Sequence, residues 1–143
     1  MYNIIRGGFE ERHPTSFKLS SSGLSNYLVL IVHTPSQFHI NGRFCELSPG
    51  QAIIIAPETP YCYGNSKGAY IDDWLHFSPD PAMGFPEIFP MTNELFPVGS
   101  TEIFTFLIKQ ILWEFSYAPK PYRKSNIDSL FTLLVISRVA LSP

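Results

Sequence analysis

Short apolar runs separated by turn residues fill the first half of the chain and predict a β-rich domain. Residues 27–33 are apolar and rich in β-branched side chains, with turn residues on both sides, as expected for a buried strand. Short strands that recur at regular intervals along a chain are typical of a sandwich or barrel. Further strands are predicted over 37–40, 43–47, 52–56, 61–63 and 70–77, with a weaker one over 16–20.

The pair Asn41-Gly42 separates two of these predicted strands and is the strongest hairpin signal in the chain. Both residues tolerate the positive φ angles of a type I′ turn, so the flanking strands can pair directly. The segment 57–60 contains two prolines and cannot be a central strand, because proline has no amide proton to donate to a ladder.

The pattern changes to apolar runs of helical length in the last third of the chain. Ser100 is a good N-cap for a helix over about 101–117, which the prolines that follow should stop. Ser125, with Asp128 three residues later in an approximate capping box, predicts a second helix over about 125–141.

Both predicted helices are apolar over more than one stripe, and one barrel cannot cover both of them completely. A self-complementary helical interface between two copies of the chain is therefore predicted. The residues assigned to this homodimer interface lie in the second helix and are Ile127, Leu130, Phe131 and Leu134.

The chain is predicted to form one domain, because 143 residues is a typical domain length. Its predicted parts are a polar, flexible N-terminal arm over 1–15, the barrel over 16–78, an irregular proline-rich wrap over 79–99 and the helical dimerisation element over 100–143. At most one short helix, around residues 93–95, is expected in the wrap.

Charge and cysteine usage exclude several classes of function. The net charge is −2 and the ten Lys and Arg residues are scattered, so this part of the chain is not expected to bind DNA by itself. Cys45 and Cys62 do not form a Cys-x-x-Cys motif, which argues against a disulfide scaffold or metal cluster. No secretory signal opens the chain and no apolar run nears the ~20 residues of a membrane span, so we expect a cytoplasmic protein without membrane contact.

Four segments carry a family resemblance. They are Asn41-Gly42-Arg43, the run Leu47-Ser48-Pro49-Gly50-Gln51-Ala52-Ile53-Ile54-Ile55-Ala56-Pro57, the segment Pro60-Tyr61-Cys62-Tyr63 and the closing strand Asp72-Asp73-Trp74-Leu75-His76-Phe77. Together they resemble the N-terminal sensor domain of AraC-type regulators, the arabinose-regulator family. The resemblance implies a cupin-like antiparallel β-barrel of jelly-roll type followed by two antiparallel helices.

The resemblance also implies a function. In this family the barrel binds a small polar effector, such as a sugar, and ligand occupancy controls DNA binding by a C-terminal helix-turn-helix domain. We expect that domain to lie outside these 143 residues, so that DNA is contacted only through it. An N-terminal arm closes over the sugar in the arabinose regulator, which makes a latch the alternative to a disordered terminus for residues 1–13.

The candidate ligand-binding residues are Tyr27, His33, Tyr61, Trp74 and His76. Strand alternation puts Tyr27 and His33 on one face of their strand, and Trp74 and His76 on one face of theirs. If both faces look into the barrel, the side chains surround a site with apolar walls and a few polar groups. By resemblance, the two histidines fall at or near sugar-contacting positions. The alternative is structural: buried histidines only need a hydrogen-bond partner, and the rings can belong to the core.

The competing interpretation is a cupin-type metal-dependent enzyme acting on a sugar or small acid. Metal-binding cupins hold their ion with a His-x-His pair, a glutamate and a later histidine. This chain has no His-x-His, and Tyr61 stands at the position of the later histidine. Asp72 and Asp73 are adjacent on a strand and point to opposite faces, so they cannot act as a catalytic pair. We therefore predict no catalytic residue, no metal ligand, no cofactor and no enzyme activity.

Overall fold

The computed structural model of the chain describes residues 2–83 and 92–140. In this part of the chain, the strands are β1 (Tyr2–His13), β2 (Lys18–Ser21), β3 (Tyr27–Val32), β4 (Ser36–Ile40), β5 (Arg43–Leu47), β6 (Gln51–Ile55), β7 (Tyr61–Gly64), β8 (Tyr70–Pro79) and β9 (Leu95–Pro97). Two helices follow, α1 (Thr101–Tyr117) and α2 (Lys120–Ala140).

The strands form two antiparallel sheets that face each other. One sheet has the order β1-β8-β3-β6-β9 and the other the order β2-β7-β4-β5. The turn at Asn41-Gly42 joins β4 to β5, and both residues have positive φ, as the sequence predicts. The predicted antiparallel β-barrel with two C-terminal helices is confirmed.

Both faces of the five-stranded sheet are buried, and each face belongs to a different core. The inner core lies between the two sheets and includes Leu28, Leu30, Val32, Phe38, Ile53 and Tyr70. The outer core lies between the same sheet and the helices, and includes Val29, Ile31, Leu75, Phe77, Ile108 and Phe131. The helices therefore pack on the back of the barrel and leave the space between the sheets to other side chains.

The predicted N-terminal arm is instead strand β1. It pairs with β8 from Tyr2 opposite Pro79 to His13 opposite Tyr70, and so forms the edge of the five-stranded sheet. Its backbone is also tied to the last helix, because the Tyr2 amide donates to the Asp128 carboxylate at 2.8 Å. The prediction of a flexible arm was wrong because an edge strand with charged outward side chains lacks the apolar alternation of the other strands.

The segment between barrel and helices also departs from its prediction. A short 3₁₀ turn covers Pro81–Met83, and β9 pairs with β6 through Leu95 opposite Ile53. The short helix expected around residues 93–95 is therefore absent. The rest of the predicted irregular wrap, over 84–91, lies outside the described residues.

The first helix has the predicted limits, whereas the second begins earlier than predicted. Ser100 caps α1 by accepting a hydrogen bond from the Ile103 amide at 3.2 Å. Helix α2 starts at Lys120, so Pro121 lies in its first turn, where proline is tolerated because no amide donor is needed. The Arg123 guanidinium donates twice to the Ala118 carbonyl, at 2.9 and 3.2 Å, and so satisfies the end of α1.

Gly64 sets the distance between β2 and β7, and its replacement should destabilise the fold. A Cβ atom at this position would lie 1.9 Å from the Phe17 carbonyl oxygen, which is backbone and cannot rotate away. We expect Gly64→Ala to lower the free energy of unfolding by about 1–3 kcal/mol, the usual cost of overpacking. Gly68→Ala is the matched control, because a Cβ there meets Asn65 at an ordinary 3.7 Å. Equal urea midpoints for the two variants would contradict the close approach.

Candidate ligand-binding site

A half-open cavity of about 470 Å³ lies between the two sheets, at the end where β1 and β2 approach β7 and β8. Its wall combines aromatic rings with a few charged and hydroxyl groups, the usual composition of a small-molecule site. The lining residues are Arg6, Glu11, His13, Phe17, Leu19, Ser20, Ser21, Leu24, Tyr61, Tyr63, Trp74 and His76.

Two irregularities in β1 direct its charged side chains into this cavity. The pairing with β8 shifts register between Ile4 and Arg6, and again between Gly8 and Glu11. Each inserted residue reverses the face on which the following side chains lie. Arg6 therefore lies opposite His76, and both line the cavity. Sequence reasoning missed the β1 residues of the cavity wall, Arg6, Glu11 and His13, because alternation alone does not locate a bulge.

His76 is a neutral polar group in the cavity wall. Its Nδ1 lies 2.8 Å from the Asn26 side-chain oxygen, which accepts a hydrogen bond when the proton is on Nδ1. Burial, reinforced by the nearby Arg6 charge, lowers the pKa of His76 to about 4. Near neutral pH the imidazole is therefore uncharged, and Nε2 remains as a hydrogen-bond acceptor.

Trp74 and Tyr61 supply aromatic surface on two walls. The Trp74 ring lies edge-on to His76, with 5.4 Å between ring centroids, and its Nε1 donates to the Glu11 carboxylate. Tyr61 stacks on Tyr63 at 5.9 Å and is 6% exposed. Gly8 lies against the Trp74 indole, where a Cβ would come within 2.7 Å of Nε1. The sequence Gly7-Gly8 thus allows β1 to close over the indole.

A second polar group of the cavity wall combines Glu11, His13 and Asp72. One ligand-type atom from each residue lies within 4.8 Å of the other two. Asp72 is 1% exposed, and its Oδ1 has no hydrogen-bond partner. The nearby Tyr70 hydroxyl opposes the effect of burial on the carboxyl pKa, although it makes no aligned hydrogen bond to Oδ1. Burial is the larger effect and raises the pKa of Asp72 to about 7.

The structure brings together three of the five predicted ligand-binding residues. Trp74, His76 and Tyr61 line the cavity, whereas Tyr27 and His33 lie on the opposite face of the five-stranded sheet. The register explains this: Tyr27 lies opposite Phe77 and Leu28 opposite His76. Expecting Tyr27 and His33 to face the barrel interior was wrong, because both faces of β3 are apolar and alternation does not indicate which one is inside.

His33 belongs to a polar cluster between the sheet and α1. Its Nε2 lies 3.0 Å from the buried Asp73 carboxylate, in a contact that is short but poorly aligned for a hydrogen bond. Asp73 also accepts hydrogen bonds from the Glu10 amide at 2.7 Å and from the Thr105 hydroxyl. The Asp73 carboxylate at this short distance favours the charged imidazolium and so raises the pKa of His33, against the opposing effect of burial.

The raised pKa predicts that His33 stabilises the fold only at lower pH. The contribution is fully present below the unfolded-state pKa of 6.5, and it is lost as pH rises through the higher folded-state value. We expect the free energy of unfolding of the wild type to fall toward that of His33→Gln as the pH rises above 6.5 and through the higher folded-state pKa. Urea titrations along this range measure the difference. His39→Gln, at an exposed histidine on β4, is the control and should track the wild type; a constant gap for His33→Gln would contradict the pairing.

The predicted dimer residues are mainly part of the outer core. Ile127, Phe131 and Leu134 are at most 4% exposed and pack against the sheet, with Leu130 partly buried beside them. The prediction that they form an interface between copies was therefore wrong in its choice of face. Among the described helix side chains, most of the large exposed apolar ones lie on α1, and they are Ile103, Phe106, Trp113 and Tyr117.

The fold is that of a cupin domain. Among solved structures, the AraC-like transcriptional activator CuxR matches with a TM-score of 0.53 and 14% identity, over 84% of this chain and 44% of that one. The cupin_2 domain of an XRE-family transcriptional regulator from Enterobacter cloacae matches at 0.42 and 17%, over 48% and 76% of the two chains. HEPD from Streptomyces albus, with its substrate 2-hydroxyethylphosphonate and Fe(II) bound, matches at 0.40 and 10%, over 97% and 45%.

The similarity to CuxR shows the fold alone, and neither a regulatory nor a catalytic role follows from it. No protein-family model matches the sequence, and a comparison with curated proteins found no match. Among the described residues, no helix is both long enough and apolar enough to span a membrane.

Proposed function

We propose that this chain is the ligand-sensing and dimerising domain of an AraC-type transcription regulator, and that it binds a small polar molecule such as a sugar. The observation that carries the proposal is the cavity between the sheets, which combines aromatic walls with a few convergent polar groups. The helices pack on the opposite side of the same sheet, so they do not occupy the ligand site.

The groups around the cavity suit a polyhydroxylated ligand. The Trp74 ring offers an apolar face to the C–H side of a sugar ring. His76 offers a neutral acceptor to a hydroxyl group, and Arg6 offers several donors to a hydroxyl or carboxylate oxygen. Tyr61 adds a hydroxyl that can both donate and accept.

Strand β8 connects ligand binding to the helices. Trp74 and His76 line the cavity, while Asp73, Leu75 and Phe77 alternate with them on the helix side. Asp73 accepts a hydrogen bond from Thr105 of α1, so a ligand that favours one position of β8 also favours one position of that helix. Differential binding of this kind is what a ligand needs in order to shift an equilibrium.

The dimer interface is assigned to the α1 stripe, defined as Ile103, Phe106, Gln110, Trp113 and Tyr117. These positions recur at alternating steps of three and four residues, so they lie on one face of the helix. Their four apolar members are 52–73% exposed. An isologous interface must match itself about a two-fold axis.

The order of side chains along the α1 stripe meets that requirement. An axis near Gln110 places Ile103 of one antiparallel helix opposite Tyr117 of the other, and Phe106 opposite Trp113. Each large apolar side chain thus meets another, and the central amides meet each other. A second copy of the chain is therefore the partner we assign to this face. DNA contact is assigned to a helix-turn-helix domain outside these 143 residues, in keeping with the net charge of −2.

The ligand proposal predicts that a monosaccharide or sugar acid stabilises the protein. A thermal-shift screen at millimolar ligand should give a rise in melting temperature for at least one compound, since binding to the folded state alone raises stability. For that compound, Tyr61→Phe should weaken binding by roughly fivefold in calorimetry, the effect of one lost hydrogen bond of about 1 kcal/mol.

Tyr27→Phe is the matched control for the ligand experiment, because it removes the same hydroxyl from the opposite face of the sheet. Its affinity should equal that of the wild type. A panel without any hit, or an equal loss in the two tyrosine variants, would show that the cavity is not a sugar site.

The dimer proposal predicts that a charge in the α1 stripe separates the copies. We expect Trp113→Lys to weaken self-association at least tenfold, since central aromatic residues contribute about 2 kcal/mol or more to an interface. Sedimentation equilibrium at micromolar protein measures this. Phe44→Lys changes an equally exposed aromatic residue on β5 and should leave the dimer intact. A wild-type monomer, or dissociation by Phe44→Lys alone, would contradict the assignment.

A further inference from the structure

Three side chains from two strands converge at one end of the cavity. Glu11 and His13 lie on β1, and Asp72 lies on β8, directly opposite Glu11. Their ligand-type atoms lie within 4.8 Å of one another. An ion with bonds of about 2.0–2.2 Å holds its ligand atoms no more than about 4.4 Å apart, so small side-chain rotations would bring these atoms to one ion. Asp72 is about 60 residues from the other two in sequence, so no short spacing motif indicates the group.

The local structure holds each of these side chains in place. The register shift between Gly8 and Glu11 turns Glu11 and His13 toward the cavity. The Trp74 Nε1 donates to one Glu11 oxygen, and the His13 ring stacks on Phe17 with 3.9 Å between centroids. Such supporting contacts orient metal ligands in protein sites.

Asp72 is an independent indication that a cation belongs here. Its side chain is 99% buried and is directed at Glu11 and His13, and its Oδ1 has no hydrogen-bond partner. A buried carboxylate oxygen without a partner is costly, and coordination to a metal ion is one of the arrangements that removes this cost. The carboxylate of Asp73, one residue away, has three donor groups around it and needs no such ion.

We propose that Glu11, His13 and Asp72 bind one divalent first-row transition metal ion. One imidazole nitrogen and two carboxylates form a nitrogen–oxygen donor set that suits zinc, manganese or iron(II), whereas magnesium and calcium prefer oxygen ligands alone. Three protein ligands leave coordination positions for water or for an oxygen atom of a bound molecule.

The site differs from the His-x-His arrangement of metal-binding cupins. Tyr61 stands at their later histidine position, on β7, and Arg6 lies beside His76 at that end of the cavity. Asp72 and His76 are four residues apart on β8, so the proposed ion lies about 13 Å from His76 along the strand. The cation is thereby kept away from the Arg6 charge.

The test is calorimetric titration of the chelator-treated chain with zinc chloride and with manganese chloride, without any sugar present. We expect one ion per chain, and at least a tenfold weaker Kd for Asp72→Asn and for His13→Gln. Trp74→Phe removes the donor to Glu11 and should weaken binding by roughly 10–100-fold, as loss of an orienting partner does. Circular dichroism shows whether each variant is folded.

Two matched variants exclude adventitious binding. His39→Gln removes an exposed histidine whose strand neighbour is Cys62, and Glu46→Gln removes an exposed carboxylate on β5. Neither should change the Kd. In a Trp113→Phe background, cobalt(II) should quench the fluorescence of Trp74 and Asp72→Asn should abolish that quenching at the same cobalt concentration.

Absence of binding by the folded wild type, or a Kd unchanged in both Asp72→Asn and His13→Gln, would overturn the metal site. Loss of binding in His39→Gln alone would also overturn it, by locating the ion on the outer face of β4. The proposal is independent of the sugar: a metal can bind when no sugar does, and the sugar screen on chelator-treated protein can succeed when metal binding fails.

Discussion

Strand β8 is buried on both faces, and the rest of the structure is arranged around that constraint. A strand alternates its side chains strictly, so every residue of β8 must suit either the cavity or the helix layer. The cavity side of β8 carries Asp72, Trp74 and His76, whereas the helix side carries Asp73, Leu75 and Phe77. A change of one residue in register would exchange the two sets and leave a charged cluster against the helices. The pairing with β1 and β3 therefore determines both where ligands can bind and where the helices can pack.

The two adjacent aspartates show how differently a buried charge can be accommodated. Asp73 faces the helix layer and is surrounded by the Glu10 amide, the Thr105 hydroxyl and His33. Asp72 faces the cavity with one oxygen unpartnered. Burial of an isolated carboxylate is costly. The surroundings of Asp73 are therefore typical of a structural contact, and those of Asp72 are typical of a binding site. The contacts of Asp73 connect β1, β8, α1 and the residue that follows β3.

Much of the fold could be predicted from local chemistry, because the relevant residues act on their immediate neighbours. Asn41-Gly42 requires only its own φ angles, and Ser100 requires only the first turn of its helix. The β1 strand could not be predicted in this way, since its stability comes from pairing with residues some 65 positions away. Which face of β3 points into the barrel could not be predicted either, because a strand with two apolar faces has no polar face to indicate the solvent side. The same holds for the candidate site. Trp74, His76 and Tyr61 could be predicted from the sequence, whereas Arg6, Glu11 and His13 reach the cavity only because of bulges in β1.

The helices show the same limit of sequence-based prediction for the packing of whole elements. Apolar residues all around α1 and α2 indicated that each helix is covered on more than one side, but composition could not assign the sides. The sheet covers Ile108 and Ile111 of α1, together with Ile127, Phe131 and Leu134 of α2. Among the described side chains, the α1 stripe stays exposed, on the helix whose Thr105 hydroxyl donates to Asp73. With a second copy on the α1 stripe, as proposed, α1 would connect the cavity strand on one face directly to the partner on the other. Helix α2 also contacts β8, through Phe131 against Phe77, but its most buried described residues belong to the core of one chain.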